Sequence, residues 1–195
     1  RSTFAGDAHD IVWVEQKEQL GTGHAVIACR EDLARLSGPV LVVAGDGPLI
    51  RPAALKELVR THSSTGAAAT LATSILPDPG RYGRILRGPS GDLTGIVEYL
   101  DADQQQRRIN EVNVSLYCFE AAILLDILDG LTNNNAKGEY YLTDAIALLC
   151  ERGARLATAP VPPEDVLSIN TVEQLEQVSA IMRQRLTSKT GCKNV

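Results

Sequence analysis

The amino-acid sequence predicts an α/β fold with a mostly parallel sheet and a small antiparallel insertion. Short apolar runs alternate with segments of helical spacing along the chain, which is typical of helices layered on a sheet. One run, residues 40–44 (VLVVA), is continuously apolar, as expected for a strand buried on both faces. A GPSG turn at residues 88–91 separates two short strands and predicts a hairpin. We expect this hairpin, with the short strands around Glu98 and Asn113, to form the antiparallel insertion.

The predicted strands are short apolar runs bounded by turn residues. They are residues 11–14, 40–44, 67–75, 83–86, 95–98, 112–119 and 156–161. The predicted helices are residues 24–36, 52 to about 61, 121–128, 141–151 and 172 to about 186. Gly38 and Pro39 end the first helix, and Pro52 suits the first turn of the second.

The last predicted helix carries one apolar stripe at helical spacing. Its members are Val172, Leu175, Val178 and Met182, which we interpret as core packing rather than as a partner surface. The polar residues after it favour a flexible tail. The chain is therefore expected to form one domain over residues 1–186, followed by a tail over residues 187–195.

Composition and charge exclude several classes of protein. At 195 residues the chain can bury a sizeable core, and its 44% hydrophobic and 22% charged residues are those of an ordinary soluble domain. A net charge of -5 and a pI near 5.2 argue against a general nucleic-acid binder, which needs a basic face. No apolar run approaches the roughly 20 residues that cross a bilayer, and residues 1–4 do not resemble a signal peptide.

The cysteines predict a reducing compartment. Cys29, Cys118, Cys150 and Cys192 are widely spaced and form no C-x-x-C pair, and the first three lie in apolar stretches. Such cysteines usually pack as small hydrophobic side chains. We therefore expect a cytoplasmic protein with free thiols.

A glycine-rich turn at residues 21–23 (GTG) is the first candidate for ligand binding. Glycines between a strand and a helix let the backbone approach a ligand closely, although most such glycines only form loops. Gln16, a few residues earlier, carries an amide that can pair with a uracil or guanine edge. His24 is better explained by helix packing than by catalysis.

Asp46 is the second candidate, because it follows the apolar run of residues 40–44. Ligands bind at the carboxyl edge of open α/β sheets, and a carboxylate there is a suitable ligand for Mg²⁺. On local sequence alone, Asp46 can equally be a turn residue between Gly45 and Gly47. Asn170 alone reads as the N-cap of the last helix.

Three segments together resemble a known family. Residues 16–24 read QKEQLGTGH, residues 44–50 read AGDGPLI and residues 133–144 read NNNAKGEYYLTD. They resemble the uridylyltransferase (pyrophosphorylase) domain of bacterial N-acetylglucosamine-1-phosphate uridylyltransferases, and the resemblance runs from about residue 11 to about residue 182. It implies a Rossmann-like, three-layer nucleotidyltransferase fold.

The resemblance also implies roles for individual residues. Gln16, Gly21 and Thr22 match the residues that hold the uracil ring. Asp46 and Asn170 match the metal-binding pair and would be catalytic by holding Mg²⁺. The residues that match the sugar pocket are Gly83, Glu98, Asn113, Glu139, Tyr141, Thr143 and Asn170. Alternatives from the residues alone are an exposed strand-end charge for Glu98 and a packed ring at a helix start for Tyr141.

The implied reaction is transfer of a uridylyl group from UTP to N-acetylglucosamine 1-phosphate, for cell-envelope precursor synthesis. Its products are UDP-N-acetylglucosamine and pyrophosphate, and neither nucleic acid nor membrane is an expected partner. The sequence offers no Ser/His/Asp or Cys/His set for nucleophilic catalysis. Two alternatives are a catalytically silent or truncated sugar-nucleotide-binding protein and a related nucleotidyltransferase with another base or sugar.

The family's opening strand and its Gly-rich phosphate loop, which carries an Arg and a Lys, have no match in this sequence. The simplest expectation is a truncated or cleaved product. We expect these 195 residues alone to fold poorly, or to self-associate through exposed strand edges, and to show no uridylyltransferase activity.

Overall fold

Helices and strands alternate along residues 11–191, the part of the chain that the computed structural model describes, with side chains described to Thr187. The helices are α1 (Thr22–Ala28), α2 (Arg30–Leu33), α3 (Pro52–Thr65), α4 (Ala121–Leu128), α5 (Asp144–Glu151) and α6 (Val172–Gly191). The strands are β1 (Pro39–Val43), β2 (Ala69–Ile75), β3 (Arg84–Arg87), β4 (Leu93–Val97), β5 (Glu111–Glu120) and β6 (Leu156–Pro160). Short 3₁₀ turns lie at Gln106–Arg108 and Pro163–Asp165.

The six strands form one mixed sheet in the order β4-β3-β5-β2-β6, and β1 pairs with β5. β5 runs antiparallel to β1, β2 and β3, whereas β2 and β6 are parallel. β1, β2, β3 and β6 therefore share one direction, and β4 and β5 run the other way. The predicted α/β class is confirmed, and the predicted hairpin is the antiparallel pair β3–β4.

The core has two parts, one on each face of the sheet. Tyr117 and Phe119 of β5 pack on the side of α4 and α5, while Leu116 and Cys118 pack on the side of α3. Successive side chains of a strand point to opposite faces, so one strand serves both cores. Helices therefore cover both faces, as a three-layer fold requires.

A kink in β5 opens the sheet where the candidate site lies. The register with β2 shifts between Leu71 and Thr73, and Ser115 has φ 55°, an unfavourable conformation for a residue other than glycine. Before the kink, the Asn113 N–H donates to the Gly83 carbonyl at 2.9 Å. After it, the Ala44 N–H donates to the Ser115 carbonyl at 3.2 Å. The first part of β5 thus lies beside β3 and its second part pairs with β1, which leaves a gap between β3 and β1.

Two elements near the start of the described chain differ from prediction. Residues 11–14 form no strand, and their side chains are exposed, Val12 by 68%. An apolar run makes a strand only where another strand offers it backbone partners, and within residues 11–191 none pairs with this run. The predicted helix of residues 24–36 is two short helices, because the chain departs from helical geometry at Cys29.

The last helix also differs from prediction. α6 extends to Gly191, so part of the predicted tail is helical, and residues 192–195 lie outside the described chain. Val178 of the predicted stripe is buried, but Val172 and Leu175 are 68% and 48% exposed. Core packing therefore explains only part of that stripe.

Two other sequence-based expectations concern the cysteines and membrane-spanning segments. Cys29, Cys118 and Cys150 are free thiols, and Cys192 lies outside that range. No helix in the described part of the chain is both long enough and apolar enough to cross a bilayer. Residues 1–4, which do not resemble a signal peptide in sequence, also lie outside the described part of the chain.

Candidate functional site

A cavity of about 710 Å³ lies at the kink of β5, and five of the predicted site residues line it. They come from five different segments, the loops after β1 and before β3, the residue after β4, β5 itself and the loop before α6. In that order they are Asp46, Gly83, Glu98, Asn113 and Asn170. Residues separated by more than a hundred positions in sequence therefore converge on one cavity.

The loops of the predicted metal pair are in direct contact. The Ile169 N–H donates to the Asp46 carbonyl at 2.9 Å, which places Asn170 next to the Asp46 loop. The Asn170 amide nitrogen donates to Ser168 Oγ at 3.1 Å. The Asp46 carboxylate and the Asn170 amide oxygen accept no hydrogen bond from the described side chains or backbone. A carboxylate and an amide oxygen, both hard ligands, are thus available at adjoining loops.

This donor set fits Mg²⁺, which takes one or two protein oxygens and keeps several waters. No group of three or more His, Cys, Asp and Glu side chains with metal-binding geometry occurs among residues 11–191. Asp46 and Asn170 offer only one carboxylate and one amide. A Mg²⁺ ion held by them would take its remaining ligands from water and from substrate oxygens.

The N-cap of α6 is Thr171 rather than Asn170, which the local sequence had suggested. The Gln174 N–H bonds to Thr171 Oγ1 at 3.3 Å, so Thr171 caps α6. Gln174 Oε1 in turn accepts the Asn170 and Thr171 N–H groups at 2.7 and 3.0 Å. Both partners of this capping box are supplied without the Asn170 side chain.

Glu98 is a partly buried carboxyl rather than an exposed strand-end charge. Burial raises its pKa, while a hydrogen bond from Thr143 Oγ1 at 3.0 Å and the charge of Lys137 act in the opposite direction. A Cβ at Gly83 would come within 3.4 Å of both Glu98 carboxylate oxygens. Glycine at position 83 therefore leaves the Glu98 carboxylate open on the cavity side.

Asn113 stabilises the kink. Its amide nitrogen donates to the Tyr117 hydroxyl at 2.6 Å, and its amide oxygen accepts the Ser115 N–H at 3.2 Å. Burial raises the pKa of the Tyr117 hydroxyl well above its usual range, so this phenol stays protonated. The Asn113 amide is therefore held in one orientation at the wall of the cavity.

The predicted base-binding residues do not line the cavity, but the turn that carries Gly21 and Thr22 is hydrogen-bonded to residues 140–142. The Gly23 N–H donates to the Tyr140 carbonyl at 2.7 Å, and the Leu142 N–H donates to Thr22 Oγ1 at 3.1 Å. Gly21 has φ 109°, and a Cβ there would lie 2.6 Å from the Tyr140 carbonyl oxygen. Only glycine allows this contact.

The segment of residues 139–143 therefore joins the predicted base-binding and sugar-binding residues. A Cβ at Gly21 would lie 2.9 Å from Glu139 Cβ, so the two residues are neighbours, and Thr143 Oγ1 donates to Glu98. Tyr141 is only 7% exposed, and burial raises the pKa of its hydroxyl to about 12. Tyr141 is thus a packed ring just before α5. This agrees with the alternative interpretation of Tyr141 given by the local sequence.

Two cationic side chains at the cavity were not predicted from the sequence. Arg81 and Lys137 line it, and Lys137 interacts electrostatically with Glu98. Lys137 lies inside the polar motif of residues 133–144, which was its only sequence signal. Arg81 precedes Tyr82, whose hydroxyl donates to the Val166 carbonyl at 2.8 Å and ties this loop to the chain before Asn170.

A buried carboxylate supports the Asp46 loop from behind. Asp165 accepts from Arg51 Nε and from Arg185 Nη2, both at 2.6 Å, and is 1% exposed. The hydrogen bond and charge of Asp165 raise the pKa of Arg51, while Arg185 also donates to the Leu49 carbonyl at 2.7 Å. This clamp of Arg51, Asp165 and Arg185 connects α6 to the α3 end of the loop after β1.

Comparison with known proteins gives matches over most of the chain. A family model described as "Nucleotidyl transferase" matches residues 5–164. A bifunctional protein GlmU of Clostridium botulinum (strain Loch Maree / Type A3) is 41% identical over 180 residues, 92% of this chain and 39% of the relative. GlmU of Heliobacterium modesticaldum is 43% identical over 94% of this chain and 40% of the relative. GlmU of Geobacter metallireducens is 43% identical over 95% and 39%. The chain spans about two fifths of the length of these relatives.

Proposed function

Because this chain belongs to the nucleotidyl transferase family, we propose that it forms the substrate-binding part of a uridylyltransferase that makes UDP-N-acetylglucosamine from UTP and N-acetylglucosamine 1-phosphate. The family match confirms the enzyme class predicted from the motifs, and the similarity to GlmU agrees with the resemblance drawn from them. The observation that carries the proposal is the convergence of Asp46, Asn170, Glu98, Gly83 and Asn113 on one cavity.

The reaction needs positioning and charge neutralisation rather than a covalent intermediate. An oxygen of the sugar phosphate forms a bond to the α-phosphorus of UTP, the bond from that phosphorus to the bridging oxygen breaks, and pyrophosphate leaves with the electron pair. Asp46 and Asn170 would hold Mg²⁺, which supplies positive charge to the phosphates. The protein fixes the reactants in line.

The sugar is proposed to lie against Glu98. Its carboxylate accepts hydrogen bonds from sugar hydroxyls, while Thr143 fixes one of its oxygens at 3.0 Å. Gly83 leaves room for the ring to approach, and the Asn113 region forms the wall. Glu139 and Tyr141 are proposed to shape the pocket from the adjoining segment, and Gln16, Gly21 and Thr22 to hold the base.

One observation favours a second candidate, a sugar-nucleotide-binding protein without turnover. Of the described side chains that line the cavity, only Arg81 and Lys137 are cationic, and both are exposed. Two exposed cations neutralise a triphosphate poorly, since exposed charges interact weakly in water. A sugar diphosphate carries less negative charge than a triphosphate, so its binding requires less neutralisation.

Calorimetry with UDP-N-acetylglucosamine tests the proposal. We expect Mg²⁺-dependent binding to this chain, and Asp46→Asn should abolish the Mg²⁺ dependence because it removes the anionic metal ligand. Asp129→Asn is the matched control, since Asp129 is 75% exposed and pairs with Arg30 on the surface. Equal Mg²⁺ dependence in both variants would refute the metal assignment. A pyrophosphorolysis assay then tests the second candidate, because turnover excludes the silent binding protein.

A further inference from the structure

The Gln16 amide is fixed in one orientation by two acceptors of the chain itself. Its nitrogen lies 3.1 Å from the Gly21 carbonyl oxygen and 3.0 Å from His24 Nδ1. Gln16 is the one residue of 11–20 that is not exposed, so these contacts hold it against α1 while its neighbours face solvent.

The chemistry of the contacts decides which amide atom is which. A carbonyl oxygen can only accept, so the atom beside the Gly21 carbonyl must be the amide nitrogen. Its second hydrogen then points to His24 Nδ1, which accepts it only when the imidazole carries its proton on Nε2. Both amide hydrogens are thereby used, and Gln16 Oε1 is left as the group that a ligand can contact.

We propose that His24 is a positioning residue that sets base preference by holding the Gln16 amide with its oxygen toward the base. The inference rests on the proposed function, in which Gln16 contacts the base. An amide oxygen accepts the N3–H of uracil, whereas N3 of cytosine is itself an acceptor and is repelled. Without His24 only the Gly21 carbonyl holds the amide nitrogen, so the amide is oriented less firmly and the preference for uracil falls.

The tautomer of His24 can be measured without any ligand. A long-range ¹H–¹⁵N spectrum of the imidazoles should show His24 with a protonated Nε2 and an unprotonated Nδ1. The Gln16 side-chain N–H signals should be protected from exchange relative to those of Gln19, which is exposed. A protonated Nδ1 on His24, or unprotected Gln16 signals, overturns the inference.

Affinities for UDP and CDP test the consequence for the base. One neutral hydrogen bond contributes about 1 kcal/mol, so His24→Leu should lower the UDP-to-CDP affinity ratio about 3- to 10-fold. His24→Asn places an amide oxygen where Nδ1 stood and should keep the ratio, whereas His24→Gln places its oxygen further out and should not. This rescue distinguishes an oriented amide from simple packing of α1.

The controls separate this inference from the function on which it rests. If the ratio changes in Gln16→Ala but stays at its wild-type value in His24→Leu, the inference is wrong and the base site stands. If UDP binds equally well to wild type and to Gln16→Ala, or not at all, both the base site and the inference are overturned.

Discussion

Glu98, the carboxylate proposed to bind the sugar, destabilises the folded state when it is charged, because it is partly buried. Burial raises its pKa in the folded state, so the folded chain binds the proton more tightly than the unfolded chain. The stability that Glu98 contributes is therefore complete below the ordinary carboxyl pKa of about 4 and falls as pH rises through the raised folded value.

Glu98→Gln should consequently stabilise the fold at pH 7 and leave it unchanged near pH 3, while it weakens UDP-N-acetylglucosamine binding. Urea unfolding at both pH values measures the first effect and calorimetry the second. Glu111→Gln is a control of opposite sign, because Arg87 lowers the pKa of Glu111 through bonds of 2.6 and 2.7 Å. A stabilising Glu111→Gln, or a destabilising Glu98→Gln at pH 7, would contradict this account.

Short motifs revealed those site residues whose chemistry is visible in the local sequence. Asp46 stands between glycines after an apolar strand, so its place at the sheet edge could be predicted. Arg81, Lys137 and the partner role of His24 could not, because each depends on a neighbour brought close by folding. Arg84 is a stronger example, since nothing in its sequence context indicates that this arginine is 1% exposed among backbone carbonyls.

At the scale of elements, the clamp of Arg51, Asp165 and Arg185 holds the Asp46 loop against α6. Asp165→Asn removes the buried charge that both arginines share. Breaking a fully buried pair costs about 3–5 kcal/mol, but Arg51 and Arg185 are partly exposed, so we expect about 2 kcal/mol. Chemical denaturation measures this loss.

The same variant should weaken Mg²⁺-dependent nucleotide-sugar binding, because the Leu49 carbonyl and the Arg51 end of the loop lose their support. Asp126→Asn is the control, since it breaks an exposed ion pair with Arg152 and should change stability by less than about 1 kcal/mol. Equal losses in the two variants would show that the clamp adds nothing to stability.

Element prediction succeeded where the local pattern agreed with the neighbours that folding supplies. α4 lies at the predicted residues 121–128, because its apolar side chains have a core to pack against. Residues 11–14 have the same apolar character and no strand partner among residues 11–191, so no strand forms. An apolar run therefore forms a strand only where folding brings a pairing strand beside it. The local sequence does not show whether such a strand is present.

At the scale of the molecule, the alternation of helices and strands was enough to predict an α/β fold of helices layered on a sheet, and the family resemblance implied three layers, but neither predicted the strand order. β5 inserts between β1 and β2, so neighbouring strands there are antiparallel although β1 and β2 share a direction. Such an order depends on contacts between segments far apart in the chain, which periodicity does not encode.

The edge of β1 leads to a prediction about association. Within residues 11–191, β1 pairs with β5 alone, and its Leu41 and Val43 side chains are 39% and 49% exposed. A strand edge with free N–H and C=O groups and apolar side chains is a template for pairing with another chain. We therefore expect this chain of 195 residues to self-associate as its concentration rises.

Sedimentation velocity over a concentration series tests this expectation. Leu41→Lys should shift the chain toward the monomer, since a charge on an edge strand disfavours pairing. Leu36→Lys is the matched control, because Leu36 is 54% exposed but lies outside every strand. If both lysine variants reduce association equally, general surface hydrophobicity is the cause, and if wild type stays monomeric throughout, the edge of β1 is not a pairing surface.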